Sequence, residues 1–295
     1  MILDSKIAFR YILNKAKYDL AVVLFVGLGV NILTIKFNQH LPELPLAIPT
    51  FLGTAISILL SFKMNQSYDR WWEARKVWGA IVNDSRTLVL QLQSFLGGSP
   101  LVERLAHRQI FWALALGKSL RGLNPLQDTQ GLISDNEKEE VAQHSNKPLA
   151  LLQKTAQEIS QARRNGEIDT LTHLQFDNTL TRLCDAMGRA ERINGTVFPS
   201  TYRHFLHYII YIFVVTFSIS LRNVNMVLEV PLILAISAAF FLIEKSAYHL
   251  QDPFRNRPSD VSVSAIARTI EINIRQLLGE RNVPEPVKPI DFYIL

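Results

Sequence analysis

The stretch Leu44–Phe62, LPLAIPTFLGTAISILLSF, carries no charged side chain. A helix needs about 20 apolar residues to cross ~30 Å of hydrocarbon, and about 17 is the lower limit. This run meets that limit. Three more charge-free runs follow the same logic: Leu20–Ile35, Phe205–Leu221 and Val230–Ile243. Phe205–Leu221 is long enough as it stands. The other two cross only if flanking residues snorkel, and Tyr18 and Lys36 flank one while Glu244, Lys245 and Tyr248 follow the other. A soluble protein with a buried core has no need of four such runs. The chain therefore reads as an all-α integral membrane protein with four transmembrane helices in a lipid bilayer. The 48% hydrophobic content and a mean hydropathy of +0.12 agree with that reading.

The first run is not a cleavable signal. It lies behind a basic segment with Lys6, Arg10, Lys15 and Lys17, and no small-residue cleavage site follows it. Basic residues collect on the cytoplasmic side of spans. Lys63, Arg70, Arg75 and Lys76 follow the second run. The link between the first two runs holds only Lys36 and Glu43, and the link between the last two only Arg222 and Glu229. Both termini and the long middle segment are expected in the cytoplasm, with residues 38–43 outside. The net charge of +5 is explained by residues beside spans, near anionic lipid, and does not call for nucleic acid. Cys184, the single cysteine, can form no intrachain disulfide and no cysteine-rich metal site.

Four segments follow: residues 1–62 with an N-terminal helix and two spans, 63–204 as a cytosolic helical region, 205–251 with two spans, and 252–295 as a cytosolic helix and tail. From Tyr68 to Leu96 apolar residues recur at helical spacing with no proline, so the second span is expected to continue unbroken into a cytoplasmic helix. Helices are predicted at 101–122, 136–145, 147–164, 170–193 and 261–279. Breaks are marked by Gly97-Gly98-Ser99-Pro100, by the loop from Asn124 to Asp135, and by Asn165-Gly166. Asp169 is placed to cap the helix that starts at Thr170. Pro284, Pro286 and Pro289 make the C-terminus an extended tail.

The chain has no P-loop, no G-x-G-x-x-G, no H-E-x-x-H and no G-x-S-x-G, so no enzyme class and no cofactor is indicated. His204 and His207 share a helix face, and interfacial polarity at the start of the third span explains them better than a metal site. The second span is more informative. With Thr50 at zero and about 100° per residue, Thr54 falls near 40°, Ser57 near 340° and Ser61 near 20°. Small hydroxyl residues thus line one narrow face. That face suits either close helix packing or water in a pore, and periodicity leaves both open. Ile58 and Phe62 occupy the adjacent sector, so a pore lined there would be narrow and apolar.

The residues after the second span carry a family pattern: Phe62-Lys63, then Ser67-Tyr68-Asp69-Arg70, then Glu73-Ala74-Arg75, then Trp78-Gly79. Asp252-Pro253-Phe254 after the fourth span is a second match, and Thr269-Ile270-Glu271 with Asn273 a third. In these motifs and their order the chain resembles the bestrophins, and specifically their bacterial branch, from the first helix to about residue 280. The resemblance implies a homopentameric ion channel with one central pore. It implies a neck of bulky apolar residues on the second span, at positions held here by Thr54, Ile58 and Phe62; Thr54 departs from the usual isoleucine. It implies a cytosolic aperture at Leu171. Eukaryotic members bind calcium through an acidic cluster after the Pro-Phe motif. Here Arg255, Asn256 and Arg257 stand in that region and only Asp260 follows, so no calcium site is carried over. The bacterial branch implies small monovalent cations such as sodium, and the eukaryotic branch implies chloride.

Overall fold

The computed structural model describes residues 1–2, 9–37, 44–127, 131–196 and 200–295. The expected outer link at 38–43 lies outside the described residues. Among the described residues there are nine helices: α1 (Phe9–Lys36), α2 (Ala47–Leu96), α3 (Pro100–Leu120), α4 (Asp135–Ala142), α5 (Lys147–Arg164), α6 (Thr170–Gly195), α7 (Ser200–Ser220), α8 (Met226–Leu250) and α9 (Val263–Leu277). The fold is all-α, and α1, α2, α7 and α8 are long and apolar enough to cross a membrane. As the sequence predicts, α2 is unbroken. It runs for 50 residues.

The chain divides into two compact units, one of Ser5–Arg70 with Val197–Gln251 and the other of Met1–Asp4, Trp71–Thr196 and Asp252–Leu295. In the first, α1 packs against α7 and α8, and these two against each other. Val23, Ile56, Leu60, Ile210, Val214 and Phe241 form its core. Gly53 on α2 faces the Phe213 ring, and an added Cβ would meet it at an ordinary contact distance of 3.4 Å. The outer surface carries Phe25, Tyr208, Val227 and Leu228, all largely exposed. An apolar core with apolar outer faces is the pattern of helices solvated by lipid.

In the second unit α3 is the central element, packed against α5, α6 and α9. Trp78, Phe111, Trp112, Phe176 and Ile270 are buried around it. The helix ends explain the breaks. Ser99 caps α3, accepting from the Leu101 N–H, with Pro100 in the first turn, where its missing N–H costs nothing. At the end of α5, Gly166 takes φ of 76°, its N–H donates to Arg163 O, and the Glu167 N–H donates back to Ala162 O at 2.9 Å. This is a Schellman turn, and glycine takes the left-handed position without strain. Helix α4 is shorter than the predicted 136–145, because the chain turns after Gln143 and Asn146 already caps α5.

One close approach sets the spacing of α3 and α9. A Cβ added to Gly117 would lie 2.7 Å from Val263 Cγ1. Gly117→Ala is expected to cost ~1–3 kcal/mol, as overpacked cores do. Thermal unfolding of the purified protein should show the loss. The double variant with Val263→Ala should recover most of it, and no recovery would place the strain elsewhere.

Candidate functional site: the open face of the second membrane helix

On α2 the chain separates two faces. Ile56, Leu60, Lys63 and Ser67 point inward and are at most 1% exposed. Thr50, Thr54, Ser57, Ile58, Ser61 and Phe62 are all exposed. Ile58 keeps 53% and Phe62 62% of its surface open, so neither belongs to the core of its own subunit. The hydroxyl stripe and the two bulky apolar residues thus form one open face along the helix.

The hydroxyls on that face are oriented. Thr50 donates to Leu46 O at 2.8 Å, Thr54 to Thr50 O at 3.0 Å and Ser57 to Gly53 O at 2.8 Å. Each proton is turned back onto the helix, as serine and threonine do inside helices. Each oxygen is left to accept. The open face therefore offers acceptors and apolar surface, with no charged side chain between Thr50 and Phe62.

The buried face of the same helix holds charge. Lys63 Nζ lies 2.8 Å from Glu244 Oε1 on α8, and both side chains are 0% exposed. His207 Nε2 on α7 stands 3.4 Å from Glu244 Oε2, its ring edge-on to Phe241. Sequence reading counts Lys63 as a cytoplasmic flank and Glu244 as a snorkelling end; instead they are partners in the interior. Glu229, counted as a loop charge, is also buried. It accepts from Asn31 Nδ2 and from Ser218 Oγ, each at 2.7 Å. Lys245 pairs with Asp19 at 3.0 Å. These ties link α1, α2, α7 and α8 in lipid, where an isolated charge is costly.

The other motif residues act as ties too. Arg70 Nε donates to Gln251 O at 2.8 Å. Within the second unit, Trp71 Nε1 donates to Ser259 O at 3.0 Å, and Arg86 grips Asn273 Oδ1 through Nε and Nη2 at 2.9 and 2.6 Å. Phe254 is buried after Pro253. Asp260 is 1% exposed, and its Oδ2 accepts from the Arg257 N–H. Burial raises its pKa, so it is not an open carboxylate poised for a cation. Among the described residues no cluster of three metal-ligating side chains occurs.

Leu171, in the first turn of α6, is 73% exposed on the second unit. The Asp169 carboxylate caps that helix, accepting from the Thr172 N–H at 2.7 Å. That bond holds the carboxyl below its ordinary range. A firmly ionised acid therefore stands two residues before Leu171.

Residues 8–276 match the family model described as Bacterial/Fungal Bestrophin protein. The chain is 29% identical over 292 residues to the voltage-dependent anion channel-forming protein YneE of Escherichia coli K12, covering 99% of this chain and 93% of the relative. It is 30% identical over 286 residues to YneE of Salmonella typhi, covering 95% and 89%. The crystal structure of a bacterial bestrophin homologue from Klebsiella pneumoniae superposes with a TM-score of 0.85 at 27% identity, covering 90% of this chain and 99% of that one.

Proposed function

The chain belongs to the bacterial and fungal bestrophins and is a bestrophin-like ion channel rather than an enzyme; from this premise we propose that it assembles as a homopentamer and passes small monovalent cations such as sodium through a neck lined by α2. The observation that carries the reading is the open α2 face, whose back-bonded hydroxyls present oxygens only. Acceptor oxygens favour a cation over an anion. Closed cyclic symmetry turns that face from lipid towards an axis shared with the other copies. Thr54, Ile58 and Phe62 then form successive rings about 6 Å apart. Leu171 forms the aperture, and the ionised Asp169 beside it favours cations again. The protein is placed in the bacterial plasma membrane with both termini cytoplasmic. Calcium does not gate it, since Arg255 and Arg257 follow Phe254 and Asp260 is buried.

A second reading is conduction of chloride, and the names of the YneE relatives favour it. The apolar rings have no preference for charge sign, so the oxygens and Asp169 carry the distinction. Purified protein in planar bilayers with asymmetric sodium chloride separates the two. A reversal potential near the sodium equilibrium value is expected, unmoved by micromolar calcium. A potential near the chloride value would replace the cation reading with the second. Current that rises steeply with calcium would overturn the gating statement, and absence of current in every salt would overturn conduction.

A further inference from the structure

In the second unit a cavity of about 310 Å³ opens between the end of α3 and the start of α9. Four cationic side chains line it, Lys118 of α3, Arg121 at the C-cap of α3, and Arg268 and Arg275 from α9, against one carboxylate, Glu271. That carboxylate is already engaged. Glu271 accepts from Arg268 at 2.9 Å and from Arg275 at 3.0 Å, and Arg275 also reaches Glu280 at 2.6 Å. The Lys118 ammonium donates to Gln127 O.

Arg121 is different. Its Nη1 donates to Ser264 Oγ, but Nε and Nη2 are shut away from solvent with no acceptor. Asp260 is the opposite charge it feels, and no salt bridge joins them. As the guanidinium stands those two nitrogens are closed to the cavity, so an oxyanion takes them only when the head group turns from Ser264 towards it, and phosphate then accepts from two N–H groups at once. The cavity is larger than phosphate alone requires. Leu114, Leu132 and Val287 give it apolar walls for an attached organic group. Its size is at the lower end of small-molecule sites, which start at about 300 Å³.

We infer that the cavity between α3 and α9 is a binding site for a small phosphorylated metabolite, its phosphate held by Arg121 with Lys118 and Arg268 around it. The site is separate from the α2 face and does not depend on which ion the channel passes. Isothermal titration of the full-length detergent-purified channel, in buffer low in chloride, tests it with inorganic phosphate and ribose 5-phosphate as probes. Saturable binding of both is expected, the monoester tighter than phosphate. Arg121→Gln should weaken both at least tenfold, whereas Lys154→Gln on a distant exposed pair should leave both unchanged. A folding defect is distinguishable by thermal midpoint. Because Arg121→Gln removes an unmatched buried charge, its midpoint without phosphate should equal or exceed that of the wild type, and phosphate should no longer raise it. Reconstitution into nanodiscs separates a soluble ligand from a lipid headgroup: phosphatidylglycerol should not compete with the probes, and competition would overturn the soluble-ligand assignment. No binding heat with either probe, or binding by Arg121→Gln equal to wild type, would overturn the site.

Discussion

Replacing Ile58 or Phe62 by alanine is expected to raise single-channel conductance several-fold. Both side chains stand on the open α2 face, with more than half of their surface outside the subunit core. In the proposed ring of copies they would converge on the axis, and an apolar constriction resists wetting. Truncation widens that constriction and lets water in. Thr54→Ile acts the other way: it exchanges a hydroxyl ring for an apolar one and lowers conductance. If Ile58 and Phe62 served only to pack against neighbouring copies, alanine would leave cavities costing ~2–5 kcal/mol. Fewer channels would survive, each with unchanged conductance. Single-channel recording separates these outcomes because it does not depend on the number of channels.

Lys63→Ala, by contrast, is expected to remove most of the folded protein. Lys63 and Glu244 are fully buried and 2.8 Å apart. Deleting the ammonium leaves Glu244 with His207 as its remaining polar neighbour, at 3.4 Å. Breaking one side of a buried pair costs about 3–5 kcal/mol, a large share of a protein's ~5–15 kcal/mol of stability. Replacing both partners at once, as Lys63→Met with Glu244→Leu, avoids the orphaned charge and should restore yield in detergent. The size-exclusion profile after extraction reads both results. A Lys63→Ala protein with wild-type yield would show the pair to be dispensable.

Much of this was legible along the chain. The charge-free runs located the membrane helices, and the proline-free spacing after Tyr68 announced a continuous α2. The break at Ser99-Pro100, the cap at Asp169 and the glycine turn at Gly166 are local chemistry, readable because each is settled within a few residues. The Thr50–Ser61 stripe was visible as well, but its meaning was not. A helical wheel shows which residues share a face and not what the face meets. Only the packing of α2 shows that Ile56 and Leu60 take the interior, leaving Ile58 and Phe62 open. The ionic interior was misread for a related reason. Lys63 follows directly on an apolar run, where a lysine ordinarily snorkels, and its partner lies 181 residues later. Glu229 sits beside a short link and likewise reads as a loop charge until Asn31 and Ser218 are brought to it.

That separation has a consequence for the timing of biogenesis. Ribosomes add about 5–20 residues per second, so Glu244 is made roughly 10–40 s after Lys63. During that interval α2 is already in or near the bilayer with an ammonium that has no carboxylate to meet. The span begins with residues apolar enough to enter, but its Lys63 end has no buried partner until α8 arrives. The last membrane helix to be synthesised therefore supplies the carboxylate that neutralises the second.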